Sequence, residues 1–185
     1  KLIKMKLLEF EAKNLLGEYS IPIPKNAVVY SVKDILPAID KIGFPAVIKA
    51  QIQSGGRGKS GGVKIVKNKT EAEIEGEKIL NSEFKGMKPS CLLIESFVPH
   101  SEELYFSLTV VRPKRKIIAL ISKHGGVDIE EASKTGSVII KEEIDPLLGL
   151  MGYQASNLAN NIVNDKNKSN NLATLLLDFY NFFIK

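Results

Sequence analysis

The chain holds one cysteine and two histidines in 185 residues. A lone Cys91 excludes an internal disulfide, and with only His100 and His124 beside it the sequence argues against a zinc site. Long apolar runs are missing too. The greasiest segment, residues 172–184, is broken by Asp178 and Asn181, and it falls short of the roughly 18 residues that suggest a membrane span. The start Lys1-Leu2-Ile3-Lys4-Met5-Lys6 is basic, but Glu9 and Glu11 follow where a secretory signal needs unbroken apolar sequence. The expectation is a cytoplasmic protein with no membrane partner. There is no internal repeat. Excess charge of one sign is modest: 26 basic against 21 acidic residues leave a net +5, and the cations are dispersed. The densest cluster, Arg112-Pro113-Lys114-Arg115-Lys116, lies between two β-type runs and reads as a hairpin tip. Aromatic residues do not interleave with basic ones as stacking platforms would, so no nucleic-acid partner is expected.

What the chain does have is glycine in one place. Gln53-Ser54-Gly55-Gly56-Arg57-Gly58-Lys59-Ser60-Gly61-Gly62 holds five glycines, one Arg and one Lys in ten residues, between β-type runs at 46–50 and 63–66. Glycine lets a backbone approach a ligand and turn its N–H groups inward, and the cations supply charge for phosphate oxygens. Two familiar phosphate motifs nearly fit. A P-loop needs glycine where Gln53 stands and a helix after Ser60, but Gly-Gly and a strand follow. The Gly56, Gly58, Gly61 spacing matches a dinucleotide fingerprint, which also requires a helix next. Both fail on context. A strand–glycine loop–strand hairpin over a polyphosphate, most simply a nucleotide, remains.

Around this loop the pattern alternates. A helix-period stripe runs from Leu7 to Tyr19 and stops before Ile21-Pro22-Ile23-Pro24, where each proline biases its predecessor to extended backbone. A strand is expected at 27–30, then a helix capped by Ser31 and stopped by Gly43. After the hairpin, Thr70-Glu71-Ala72-Glu73 reads as a capping-box start of a helix to about Leu80, and 92–98 as a strand. The order β-α-β-β-α-β predicts a two-layer α+β lobe. Beyond it, strands are expected at 104–111, 116–122 and 138–141. Helices are expected at 153–163 and 172–184, with a polar Asn/Lys/Asp-rich linker between them. Asp128 and Glu130 read as an acidic pair at a helix start rather than a metal site. The chain stops in an apolar helix without a cap, which reads as a cut.

Taken in order, Leu8-Glu9-Phe10-Glu11-Ala12-Lys13, the stretch 48–63, Glu103-Leu104-Tyr105, Gly125-Gly126-Val127-Asp128-Ile129-Glu130 and Asp145-Pro146-Leu147 with Gly152-Tyr153-Gln154 resemble the β subunit of succinyl-CoA synthetase. The resemblance covers nearly the whole chain. It implies an incomplete ATP-grasp fold, α+β, with two lobes and a Gly-rich hairpin over the nucleotide. The small lobe would span about 21–98, and the larger lobe 1–20 plus 99–185, with a C-terminal CoA-ligase domain beyond this chain.

Several roles follow from the resemblance. Lys49, Gly56, Arg57 and Gly58 would meet the ATP phosphates, Glu95 and the Val98 backbone the adenine, and Glu103 the ribose. Pro24 tips the nucleotide towards ATP over GTP. The family reaction is reversible: ATP, succinate and CoA give ADP, phosphate and succinyl-CoA through a phosphohistidine on a partner α subunit, in a heterodimer or heterotetramer. His100 and His124 are then structural or surface residues. Magnesium would be held by residues beyond Lys185, leaving no catalytic or metal residue here and a chain inactive alone. Alternatives are another acid–CoA ligase, acting on malate, citrate or acetate, and a non-catalytic nucleotide-binding module. An RNA-binding α+β domain is a third, weaker reading.

Overall fold

A computed structural model describes residues 6–54, 57–58, 60–123, 125 and 139–185. Contacts divide the chain into two compact units, Lys1–Gly17 with Pro22–Pro99, and Glu18–Ile21 with His100–Lys185. The sequence reading grouped residues 1–20 with 99–185. Residues up to Gly17 instead belong to the first unit, because ion pairs from the N-terminal helix tie it there.

The first unit follows the β-α-β-β-α-β order. After helix α1 (Glu9–Glu18) come β1 (Asn26–Val29), α2 (Ile35–Ile42), β2 (Ala46–Gln51), β3 (Val63–Val66), α3 (Lys69–Asn81) and β4 (Cys91–Ser96). The strands form one antiparallel sheet in the order β1-β4-β2-β3. Alternation sorts its faces. Ala46, Ile48 and Ala50 of β2, with Leu92 and Ile94 of β4, enter a core shared with Ile35 and Ile39 of α2 and Ala72 and Ile79 of α3. Helix α3 sits close to this layer because residue 76 is glycine. A Cβ there would lie 2.5 Å from Ile35 Cδ1 and 3.6 Å from Ile48 Cδ1. The helix after Ser31 opens as a 3-10 turn, Val32–Asp34, before α2 begins, and α2 stops at Gly43 as read. Pro37 is tolerated because it lies in the first turn of α2, where N–H groups lack partners anyway.

The start of α3 differs from the capping box placed at Thr70. Asn68 is the N-cap: its Oδ1 accepts from the Glu71 N–H at 2.9 Å, while a Glu71 carboxylate oxygen accepts from the Lys67 N–H at 2.8 Å. Both members of the box lie two residues earlier than the Thr70–Glu73 spacing predicts, with Asn68 in place of Thr70 and Glu71 in place of Glu73. Asn68→Ala is expected to cost about 1 kcal/mol in urea unfolding, and Thr70→Ala much less.

In the second unit, β5 (Tyr105–Val111), β6 (Lys116–Ser122) and β7 (Ile139–Ile144) form an antiparallel sheet in that order. The basic turn is a 3-10 turn at Arg112–Lys114; Lys114 and Lys116 reach Glu143 and Asp145 at 3.0 and 2.6 Å. Ile117, Ala119 and Ile121 present one face of β6 to Leu158 and Ile162 of α4 (Gly152–Ile162) and Leu176 and Tyr180 of α5 (Lys166–Phe183). The expected polar linker is largely helix, since α5 starts at Lys166. Asp165 caps it by accepting from the Lys168 N–H at 2.9 Å, and the buried Ser169 hydroxyl donates to Asn160 Oδ1 of α4 at 2.6 Å. Packing of one stripe, not the propensity of an Asn-rich run, makes this segment helical. Among the described residues no helix is long and apolar enough to cross a membrane.

Candidate functional site

The sheet face of the first unit that turns away from α2 and α3 carries Lys49, Gln51 and Glu95. Lys49 stands opposite Leu93 and Val47 opposite Glu95, so Lys49 and Glu95 are diagonal neighbours across two antiparallel strands. Long side chains span that diagonal readily, and Glu95 pairs directly with the Lys49 ammonium. Only the register brings these two residues together across 46 positions of sequence.

Helix α1 completes the cluster. Glu9 and Lys13 are one helical turn apart on one face. Lys13 pairs with Glu95 and lies 3.1 Å from Glu9, and Lys49 lies 3.0 Å from Glu9. Arg57, in the Gly-rich loop, donates from Nη2 to Glu9 Oε2 at 2.5 Å and from Nη1 to the Ala50 carbonyl at 2.6 Å. The Phe10 N–H donates to Gln51 Oε1 at 3.2 Å, pinning the start of α1 to β2. No side chain of α1 is fully buried, although Phe10, Ala12 and Leu16 of its apolar stripe are half-buried. Charge and hydrogen bonds add to that partial packing in holding the helix.

Three cations therefore face two carboxylates, Glu9 and Glu95. Burial alone would push the Glu9 carboxyl up, but the charges of Lys49 and Lys13, with their hydrogen bonds, outweigh it and hold the group at about 2 against an ordinary 4.5. Burial likewise works to lower Lys49, and the hydrogen bond to Glu95 and the charge of Glu9 reverse it, so Lys49 is raised. A carboxyl depressed in the folded state stabilises the fold above its unfolded pKa, and that contribution is lost as pH falls through the folded value. Wild type is accordingly expected to lose on the order of 3 kcal/mol more than Glu9→Gln between about pH 4.5 and 2, read by urea unfolding at stepped pH.

Of the residues singled out by sequence, Lys49, Arg57 and Glu95 converge in this cluster. Gly58 lies in the same loop, with open space where a Cβ would stand; Gly56 and His124 lie outside the described residues, as do Asp128 and Glu130. Val98 follows β4 and is 53% exposed. Glu103 belongs to the second unit, where it pairs with His100 at 3.1 Å. There it borders a cavity of about 610 Å³ with Leu104, Lys123, Gly125 and Ile162. The Gly125 N–H donates to the Glu103 carbonyl at 2.8 Å, and a Cβ on Gly125 would come within 2.9 Å of the Glu103 carbonyl carbon, so only glycine fits. Glu9 and Lys13 were missed as site residues. Their Glu-to-Lys spacing of four was the available signal, but such pairs are usually solvated helix surface. Among the described residues no group of three His, Cys, Asp or Glu side chains could hold a metal ion.

Two α+β units, the first bearing a Gly-rich hairpin with cations gathered at its base, define the class of nucleotide-grasping folds. The ATP-grasp domain family matches residues 6–185, and the chain belongs to that family. It is 38% identical over 177 residues to the β subunit of an ADP-forming succinate–CoA ligase from Natronomonas pharaonis, covering 95% of this chain and 47% of that protein. It is 44% identical over 163 residues to the corresponding subunit from Hydrogenobaculum sp., covering 84% and 43%. The chain thus spans about half the length of these relatives. A dinucleotide-forming acetyl-coenzyme A synthetase from Ca. Korarchaeum cryptofilum has the same fold at a TM-score of 0.74 and 20% identity, over 96% of this chain and 80% of that one. The ATP citrate lyase of Methanothrix soehngenii shares the fold at 0.72 and 22% identity, over 96% and 43%.

Proposed function

We propose that this chain is the nucleotide-binding part of the β subunit of an ADP-forming succinate–CoA ligase. The observation that carries the reading is the meeting of Lys49 and Arg57 at the base of the Gly-rich hairpin, where three cations exceed two carboxylates. The named relatives support the acid and the subunit. In this reading Lys49 and Arg57 bind phosphate oxygens, Lys49 as a point charge and Arg57 through its fork. Gly56 and Gly58 offer backbone N–H groups. Glu95 holds Lys49 on the phosphate side and, with the Val98 backbone, borders the adenine; Glu103 accepts from the ribose hydroxyls. Magnesium would neutralise phosphate charge in the transfer. In this reading the chain binds and orients ATP, and turnover belongs to the assembly with its α subunit, whose phosphohistidine passes the phosphoryl group on towards succinate and CoA.

Calorimetric titration with ATP, with and without magnesium, tests this. Saturable binding to wild type, weakened at least tenfold in Lys49→Ala, is the expected result. ATP binding that ignores Lys49 would sink the assignment of the phosphate site.

A further inference from the structure

Glu9 does more than anchor a helix. Its Oε2 takes Arg57 at 2.5 Å, and its Oε1 takes Lys49 at 3.0 Å and Lys13 at 3.1 Å. Glu95 takes Lys49 and Lys13. Among the described residues Glu9 is therefore the one carboxylate paired with Arg57. We propose that Glu9 is a built-in placeholder for phosphate: it holds Arg57 and Lys49 in position when no polyphosphate is bound, and the ligand displaces it from Arg57. The inference rests on the nucleotide reading above and adds a residue to that site.

Three physical points carry it. The five charges sum to a surplus of one positive charge, a weak attractor for a ligand bearing several negative charges unless a carboxylate gives way. Of the two carboxylates, Glu95 is buried with 6% of its side chain exposed, whereas Glu9 is 23% exposed on the first turn of a helix with no buried side chain. Glu9 is the one that can leave. A phosphate oxygen also offers a guanidinium the same kind of acceptor as a carboxylate, so the exchange keeps the fork of Arg57 satisfied. Since the Glu9 carboxyl sits at about 2, it stays ionised at any working pH, and release comes by competition from an anion rather than by protonation.

The test uses tripolyphosphate, which carries the charge without the base, and ATP in parallel, on this chain. Glu9→Gln removes the competing charge and is expected to bind tripolyphosphate about tenfold more tightly than wild type, as one charge contact of ordinary strength predicts. The gain should vanish when Lys49→Ala is added, and Glu9→Asp, which keeps the charge, should show less gain than Glu9→Gln. A merely structural Glu9 would give weaker binding on substitution, not tighter. Unchanged or weaker tripolyphosphate binding in a folded Glu9→Gln chain, an equal gain in Glu9→Asp, or no tripolyphosphate binding at all overturns the inference. A second measurement needs no variant: the Glu9 carboxyl carbon NMR signal of wild type should move on saturation with tripolyphosphate, and a stationary signal overturns the idea equally. If ATP binds through Lys49 while Glu9→Gln changes nothing, the placeholder falls and the nucleotide reading stands. If tripolyphosphate behaves as expected and ATP does not bind, the nucleotide reading falls alone.

Discussion

Replacing Glu95 by alanine is expected to destabilise the chain by about 3–5 kcal/mol, measured by urea unfolding at pH 7. Glu95 is 5% exposed and accepts from both Lys13 and Lys49. Its removal leaves three cations, Lys13, Lys49 and Arg57, sharing the single carboxylate of Glu9 in a partly buried setting. The cost is then uncompensated charge rather than a lost contact. Glu95→Gln keeps the volume and one acceptor oxygen, so its cost should fall between alanine and wild type. A loss below about 1 kcal/mol for the alanine variant would mean that the cluster behaves as a solvated surface pair. Nucleotide affinity should fall as well, since Lys49 would lose the partner that holds it on the sheet face.

Ile48→Ala is expected to cost about 2–5 kcal/mol, and Ile48→Val about 0.5–1.5. Ile48 is fully buried on β2, a central strand of the first sheet, opposite Ile94 of β4 and against the helix layer. Because α3 already lies close at Gly76, with no side chain there to swing into a gap, the site has little room to collapse. The cavity should therefore stay largely open, at the upper end of that range. Equal costs for the valine and alanine variants would show that the layer relaxes onto β2. Lys49 is the next residue along the strand, so this variant also tests how firmly the Lys49 cluster depends on the core behind it.

Much of the fold was legible because two local codes agree with it. Short β-type runs at 46–50 and 92–98 mark strands whose even residues face a core, and Gly43 and the Pro22–Pro24 pair punctuate the elements around them. The helix over 166–171 was read as a linker because asparagine and serine compete with the helix locally, and only the packing of α5 overrides that. For the site, the glycine-rich loop with Arg57 stands out by composition, and Lys49 enters through the family resemblance. Glu9 and Lys13 did not, because an i, i+4 pair on a short helix looks the same whether it faces water or a cation cluster.

Sequence by itself determined the order of strands and helices and the glycine-rich loop bearing Arg57, and its resemblance to a known family pointed to the ATP-grasp class. The first two rest on side-chain period, turn chemistry and a glycine pattern, all of which act between near neighbours in the chain. The tertiary structure alone decided that Lys49 shares Glu95 across a strand diagonal, that α1 belongs to the first unit, and that one carboxylate of α1 holds Arg57. Those facts depend on register and on charges dozens of residues apart, which no local pattern encodes.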